Sequence, residues 1–110
     1  MSEITISELA RRHGATLRAL RFYEEKGLLK PRREGTKRFY PPVEILFAGE
    51  IVGMRAAGFT IEQIYGVRHS FLSGNMVHYY SKLKGAVHMR IAALEKEMAS
   101  ARKLEAFLYA

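Results

Sequence analysis

Residues Leu20–Tyr40 read LRFYEEKGLLKPRREGTKRFY, a stretch that crowds Lys and Arg together with four aromatic rings and bends once near its end. "LLKPRR" and "KRFY" read as two short strands flanking Glu34-Gly35-Thr36. Glycine at the bend supplies the backbone angles that a short hairpin requires. Pro31 has no amide to donate, which confines its strand to a sheet edge. A ribbon with Arg32, Arg33, Lys37 and Arg38 around its tip cannot be a core element. It reads as a wing that can lie along a phosphate backbone or reach a minor groove.

Two short helices precede the wing. Thr5-Ile6-Ser7-Glu8 fits a capping box, in which cap and glutamate each satisfy an orphan backbone donor. Ile6, Leu9 and Ala10 then form an apolar stripe, and Gly14 ends the helix. Thr16 caps a second helix predicted from Leu17 to about Lys26, with Gly27 stopping it. At 100° per residue, Arg18, Arg21, Phe22 and Glu25 share one face of that helix. Leu17 and Leu20 lie away from its centre and are expected to pack on the first helix. An arginine-led face suits a major groove, because guanidinium forks onto guanine O6/N7 or onto phosphate. The competing assignment makes these arginines surface partners of Glu8, Glu24 or Glu25. A helix-turn-helix followed directly by a basic hairpin is a winged-helix arrangement and favours the first assignment.

Charge is distributed accordingly. Between Arg11 and Arg38 stand ten Lys/Arg and three Glu, so this quarter of the chain holds the whole net charge of +7. The remaining residues carry eight basic and eight acidic side chains and balance. Such concentration marks a footprint for a polyanion. The 110 residues suffice for one domain with an appended element. No apolar run approaches the roughly 20 residues of a membrane span, and the N-terminus lacks a signal-peptide core. The absence of cysteine rules out a disulfide framework and a thiolate metal site, and fits a reducing cytoplasm.

The segment from Ile4 to Tyr40 resembles the DNA-binding half of the MerR family of bacterial transcription regulators. The motifs are I-x-E-L-A at Ile6–Ala10, G-x-x-x-x-x-L-R-[YF]-Y-E through the second helix at Gly14–Glu24, G-L-L-x-P-x-R at Gly27–Arg33 and R-x-Y at Arg38–Tyr40. Downstream, MRAAGFTIEQI (Met54–Ile64) fits the family's R-x-x-G-F-[ST]-x-x-x-I pattern. One departure is Phe22 beside Tyr23, where the family usually has a tyrosine pair. A lost hydroxyl contact is worth only about 1 kcal/mol.

After Pro41-Pro42, a largely buried helix is expected through Ala57, with Val43, Leu46, Phe47, Ile51 and Met54 as its apolar stripe and Ile45 and Val52 widening it. Gly49, Gly53 and Ala57 recur every four residues and suit close packing within the domain. Thr60-Ile61-Glu62-Gln63 is a second capping box, opening a helix to about Leu72. From Asn75 onward, Tyr80, Leu83, Val87, Ile91, Leu94, Met98, Ala101, Leu104 and Leu108 recur with a mean spacing near the 3.5 residues of a coiled coil. Arg90 and Glu97 fall on strict heptad positions, so the seam is wide and slightly irregular. Such a helix needs a partner, and the resemblance implies antiparallel pairing in a homodimer. Tyr79 and Tyr80 are assigned to dimer packing in preference to a ligand cage.

The histidines lack zinc-site spacing, and no phosphate-cradling loop or activated nucleophile stands out. No metal, cofactor or enzymatic activity is expected. The predicted fold is mainly α, with a winged helix-turn-helix unit over residues 1–74 and a dimerisation coiled-coil helix over 75–110. The predicted function is a homodimeric transcription regulator that binds and distorts a palindromic site in double-stranded promoter DNA. Its place is in the cytoplasm, at the nucleoid, with RNA polymerase as a partner. Arg18 is assigned to base readout. Arg21, Phe22, Tyr23, Arg33, Lys37, Arg38 and Tyr40 complete the DNA-facing set. The alternative is an architectural DNA-organising protein without promoter switching.

Overall fold

A computed structural model describes residues 2–110. Over these residues the order is β1 (Ile4–Thr5), α1 (Ile6–His13), α2 (Leu17–Glu25), β2 (Arg32–Glu34), β3 (Lys37–Tyr40), α3 (Pro42–Ala56), α4 (Ile61–Leu72) and α5 (Met76–Leu108). The molecule is mainly helical, with a small antiparallel sheet of strand order β1-β3-β2. Both capping boxes form: Thr5 and Glu8 start α1, and Thr60 and Gln63 start α4. Thr16 accepts the Ala19 amide at 3.0 Å and starts α2.

Two features of the sheet depart from the sequence-based expectation. Leu28–Lys30 is not strand, because Leu28 and Leu29 are both buried and break the alternation a half-exposed strand requires. The ribbon therefore begins at Arg32. β1 was not foreseen. It pairs Ile4 with Tyr40 and Thr5 with Phe39, and its two residues are too few to leave a periodic signal.

In α3 the expected stripe shifts. Val43 and Leu46 are exposed, whereas Glu44, Ile45, Phe47, Ala48, Ile51 and Met54 are buried. Glu44 is admitted because Arg68 of α4 meets it at 2.8 and 3.2 Å. Arg68 also donates to the Leu28 carbonyl at 2.6 Å and lies 5.2 Å from the centre of the Phe47 ring. The Lys30 amide donates to the same Glu44 carboxylate. A buried charge is tolerable only when paired and hydrogen-bonded in this way. Gly49 packs within the domain: a Cβ there would sit 2.9 Å from the His13 ring, whose Nε2 lies 2.9 Å from the Ile45 carbonyl oxygen. The missing side chain lets α1 close on α3.

At 33 residues α5 is about 50 Å long, most of the molecule's 63 Å length. Its first turns pack on the chain's own core. Tyr79 is fully buried and meets Phe71 edge-on at 5.2 Å, so it is a core residue of its own chain and not part of a dimer seam. Leu83 and Val87, expected on the seam, are half-buried beside Gly53, Met54 and Phe59. They are drawn there because α3 and the turn after it offer apolar surface at that height. Arg90 donates from Nε to the Ala57 carbonyl at 2.9 Å, which explains its place on a strict heptad position. From Ile91 to Ala110 every residue is exposed, including Leu94, Met98, Ala101, Leu104 and Leu108. Tyr80 is also exposed.

Candidate nucleic-acid interface

Capping by Thr16 and burial of Leu20 against the core fix the rotation of α2. Leu17, expected in the interior, is instead 37% exposed at the first turn. The opposite face presents Arg18, Arg21, Phe22 and Glu25 to solvent, as the helical spacing predicts. Among the described residues neither Arg18 nor Arg21 takes part in a salt bridge. Their guanidinium donors are therefore available to an incoming acceptor. The Lys26 ammonium lies 5.6 Å from the centre of the Phe22 ring.

Thr16, Arg18, Ala19, Phe22, Tyr23 and Arg55 line an open depression of about 300 Å³ beside α2. Tyr23 is 8% exposed and contributes only an edge. Arg55 comes from the end of α3 and is held by a 2.9 Å hydrogen bond from Nη1 to the Phe59 carbonyl. It is absent from the residues selected by sequence, although the MRAAGF motif contains it. The motif gave a pattern without saying that the third helix ends beside the second.

The wing is less free than its charge suggests. Arg32 pairs with Glu3 at 2.8 Å and with Glu34 at 3.2 Å, and it covers the Phe39 ring at 4.9 Å. The hydrogen bonds it donates to Glu3 and then to Glu34 raise its pKa. Arg38 donates from Nε to Glu24 at 2.6 Å, and Arg33 pairs with the same carboxylate. The competing assignment of acidic partners thus applies to the wing arginines and not to those of α2. Lys37 remains exposed with no ion pair among the described residues.

Tyr40 is corrected outright. Its side chain is fully buried, so it supports the wing from beneath and does not face outward. Burial pushes its phenol up to about 12, and the charge of Glu24 adds to this while Arg38, Arg33 and Arg21 oppose it. Its hydroxyl finds no hydrogen-bond partner among the described residues. No helix among these residues is long and apolar enough to cross a membrane.

Comparison with known proteins agrees with this geometry. Residues 4–70 match the MerR HTH family regulatory proteins. The chain is 29% identical over 97 residues to the HTH-type transcriptional regulator CueR of Yersinia pestis, covering 86% of this chain and 68% of that protein. A MerR family transcriptional regulator from Listeria monocytogenes shares the fold with a TM-score of 0.69 at 20% identity, over 96% of this chain and 83% of that one. HiNmlR, a MerR family regulator lacking the sensor domain and crystallised on promoter DNA, gives a TM-score of 0.67 at 16% identity, over 92% and 79%.

Proposed function

The chain belongs to the MerR HTH family of regulatory proteins, and from that premise we propose that it acts as a homodimer that binds one palindromic promoter site and distorts it. The observation that carries this is the Arg18–Arg21 face of α2, exposed and without an ion pair among the described residues, set beside a wing made of β2 and β3. Arg18 reads a base edge. Arg21, Lys37, Arg33 and Arg38 engage phosphates, Phe22 packs against the backbone sugars, and Tyr23 and Arg55 line the depression beside α2 that faces the duplex. The fold neighbour HiNmlR is itself bound to promoter DNA, which supports promoter DNA as the ligand.

Residues 75–110 supply the dimer contact through Tyr80, Ile91, Leu94, Met98, Ala101, Leu104 and Leu108, all exposed in the single chain. Leu83 and Val87 back this seam from the chain's own side. Residues 1–74 carry DNA binding, braced by the first turns of α5. The dimer works in the cytoplasm at the nucleoid, where RNA polymerase meets it at the promoter.

Two recognition helices at fixed separation demand a fixed half-site spacing. The centre of the site is then read through its cost of deformation. A chemical footprint and a bend assay test this on sites whose central spacer is changed by one or two base pairs. Strong spacing dependence with a hyper-reactive central step is expected. Spacing-independent binding to straight DNA would overturn it and favour an architectural DNA-organising role.

A further inference from the structure

Glu24 lies on α2, but its chemistry belongs to the wing. Its side chain is 14% exposed, and its two oxygens hold Arg38 of β3 and Arg33 of β2. Those two arginines stand directly opposite each other in the ribbon. Like charges at opposed positions of an antiparallel pair repel. One carboxylate between them removes the repulsion and ties both strands to the end of α2. A guanidinium engages a carboxylate and a phosphate with the same forked geometry. The group that quiets the wing therefore resembles the group the wing is built to meet.

We propose that Glu24 is a specificity-determining residue, an internal stand-in for a DNA phosphate that restrains Arg33 and Arg38 in the free protein. The proposal rests on the DNA-binding function proposed above. It has two consequences. The wing keeps a set angle to the recognition helix, and its attraction for any passing duplex is reduced. DNA recovers the wing contacts only where α2 has docked and brought a phosphate into position to compete with the carboxylate. Arg18, Arg21 and Lys37, which lack such a partner among the described residues, make the first contacts.

Glu24→Gln keeps the shape and removes the charge. Affinity for a random duplex at low salt should rise about tenfold. The slope of log affinity against log salt should steepen by up to about two phosphates' worth. The cognate site should gain less, so the ratio of cognate to random binding falls. Glu24→Asp keeps the charge and should keep the wild-type slope. In the unaltered protein, the Arg38 Nε–H signal in an NMR spectrum should be protected from exchange and should move when duplex is added.

Unchanged random-DNA affinity in folded Glu24→Gln overturns the proposal. So do equal effects of Gln and Asp, or an unprotected Arg38 Nε–H in the free wild type, which decides the matter even if Glu24→Gln fails to fold. A wild type with no preferred duplex defeats the DNA-binding function itself. A selective wild type with an indifferent Glu24→Gln defeats only the role of Glu24.

Discussion

Arg18 and Arg38 carry the same charge with different freedom. Arg18 is exposed and unpaired among the described residues, whereas Arg38 is held by Glu24 at 2.6 Å. Replacing Arg18 with Ala should cost about 1–3 kcal/mol on the cognate site and relax preference at one base position. Arg38→Ala should instead weaken the cognate duplex without changing its base preference, reduce its salt slope by at most about one, and affect a random duplex less, since there Glu24 already holds this arginine. Titrations of cognate and random duplexes at several salt concentrations separate the two, and identical profiles would reject the division of roles. Tyr40 makes a different prediction. Its phenol is raised to about 12 in the folded chain against 10.0 in the unfolded one. The unfolded state thus loses its proton first on alkalisation. The stability tied to this group is complete below pH 10 and is lost as pH rises from 10 toward 12. Denaturation curves of Tyr40→Phe should show a shallower loss across that window than the wild type. Parallel curves would show that Tyr40 does not contribute. Tyr79, raised in the same direction by burial, leaves part of the alkaline loss in place.

At the level of elements, the contact between α3 and α4 depends on Glu44 and Arg68, which are 3% and 8% exposed in their side chains. Such a pair adds little over a well-packed apolar pair, but losing one partner strands a buried charge. Glu44→Ala should destabilise the fold by about 3–5 kcal/mol. Replacing both, as Glu44→Leu with Arg68→Met, should recover much of that loss. Urea denaturation of Glu44→Leu, Arg68→Met and the double variant measures the coupling. An additive double variant would mean the pair is not what joins these helices. Gly49 limits the other side of α3. Gly49→Ala places a methyl 2.9 Å from the His13 ring and should cost about 1–3 kcal/mol as the two helices are forced apart.

The whole molecule consists of a packed unit and a helix that outruns it. The half of α5 beyond Arg90 leaves Leu94, Met98 and Leu104 between 40% and 60% exposed. A bare apolar stripe of this length is a surface for association. Leu94→Lys should convert a dimer to monomers without lowering the stability of the packed unit, since Leu94 touches none of its core. Affinity for a two-half-site duplex should fall with it, while affinity for a single half-site changes little. Light scattering and a melting curve on the same sample test this. A wild type that is already monomeric at working concentration would remove the seam.

Local signals settled the most. The capping threonines Thr5, Thr16 and Thr60, the glycine at the wing tip and the confinement of net charge to residues 11–38 depend on neighbours within a few positions, so they are readable in one dimension. The same holds for the exposed face of α2, because helical geometry alone sets which side chains share a side. Tertiary packing decided the rest. Val43 and Leu46 fit the apolar period of α3, yet they lie outside, because Arg68, 24 residues beyond Glu44, makes a charged position the buried one. Leu83 and Val87 fit a seam, yet they turn to their own chain, because the end of α3 lies within reach. Arg33 and Arg38 look as free as Arg18, yet both are held by one carboxylate, because the ribbon folds back over the end of α2. In each case the deciding partner is remote in sequence, and only the folded chain brings it near.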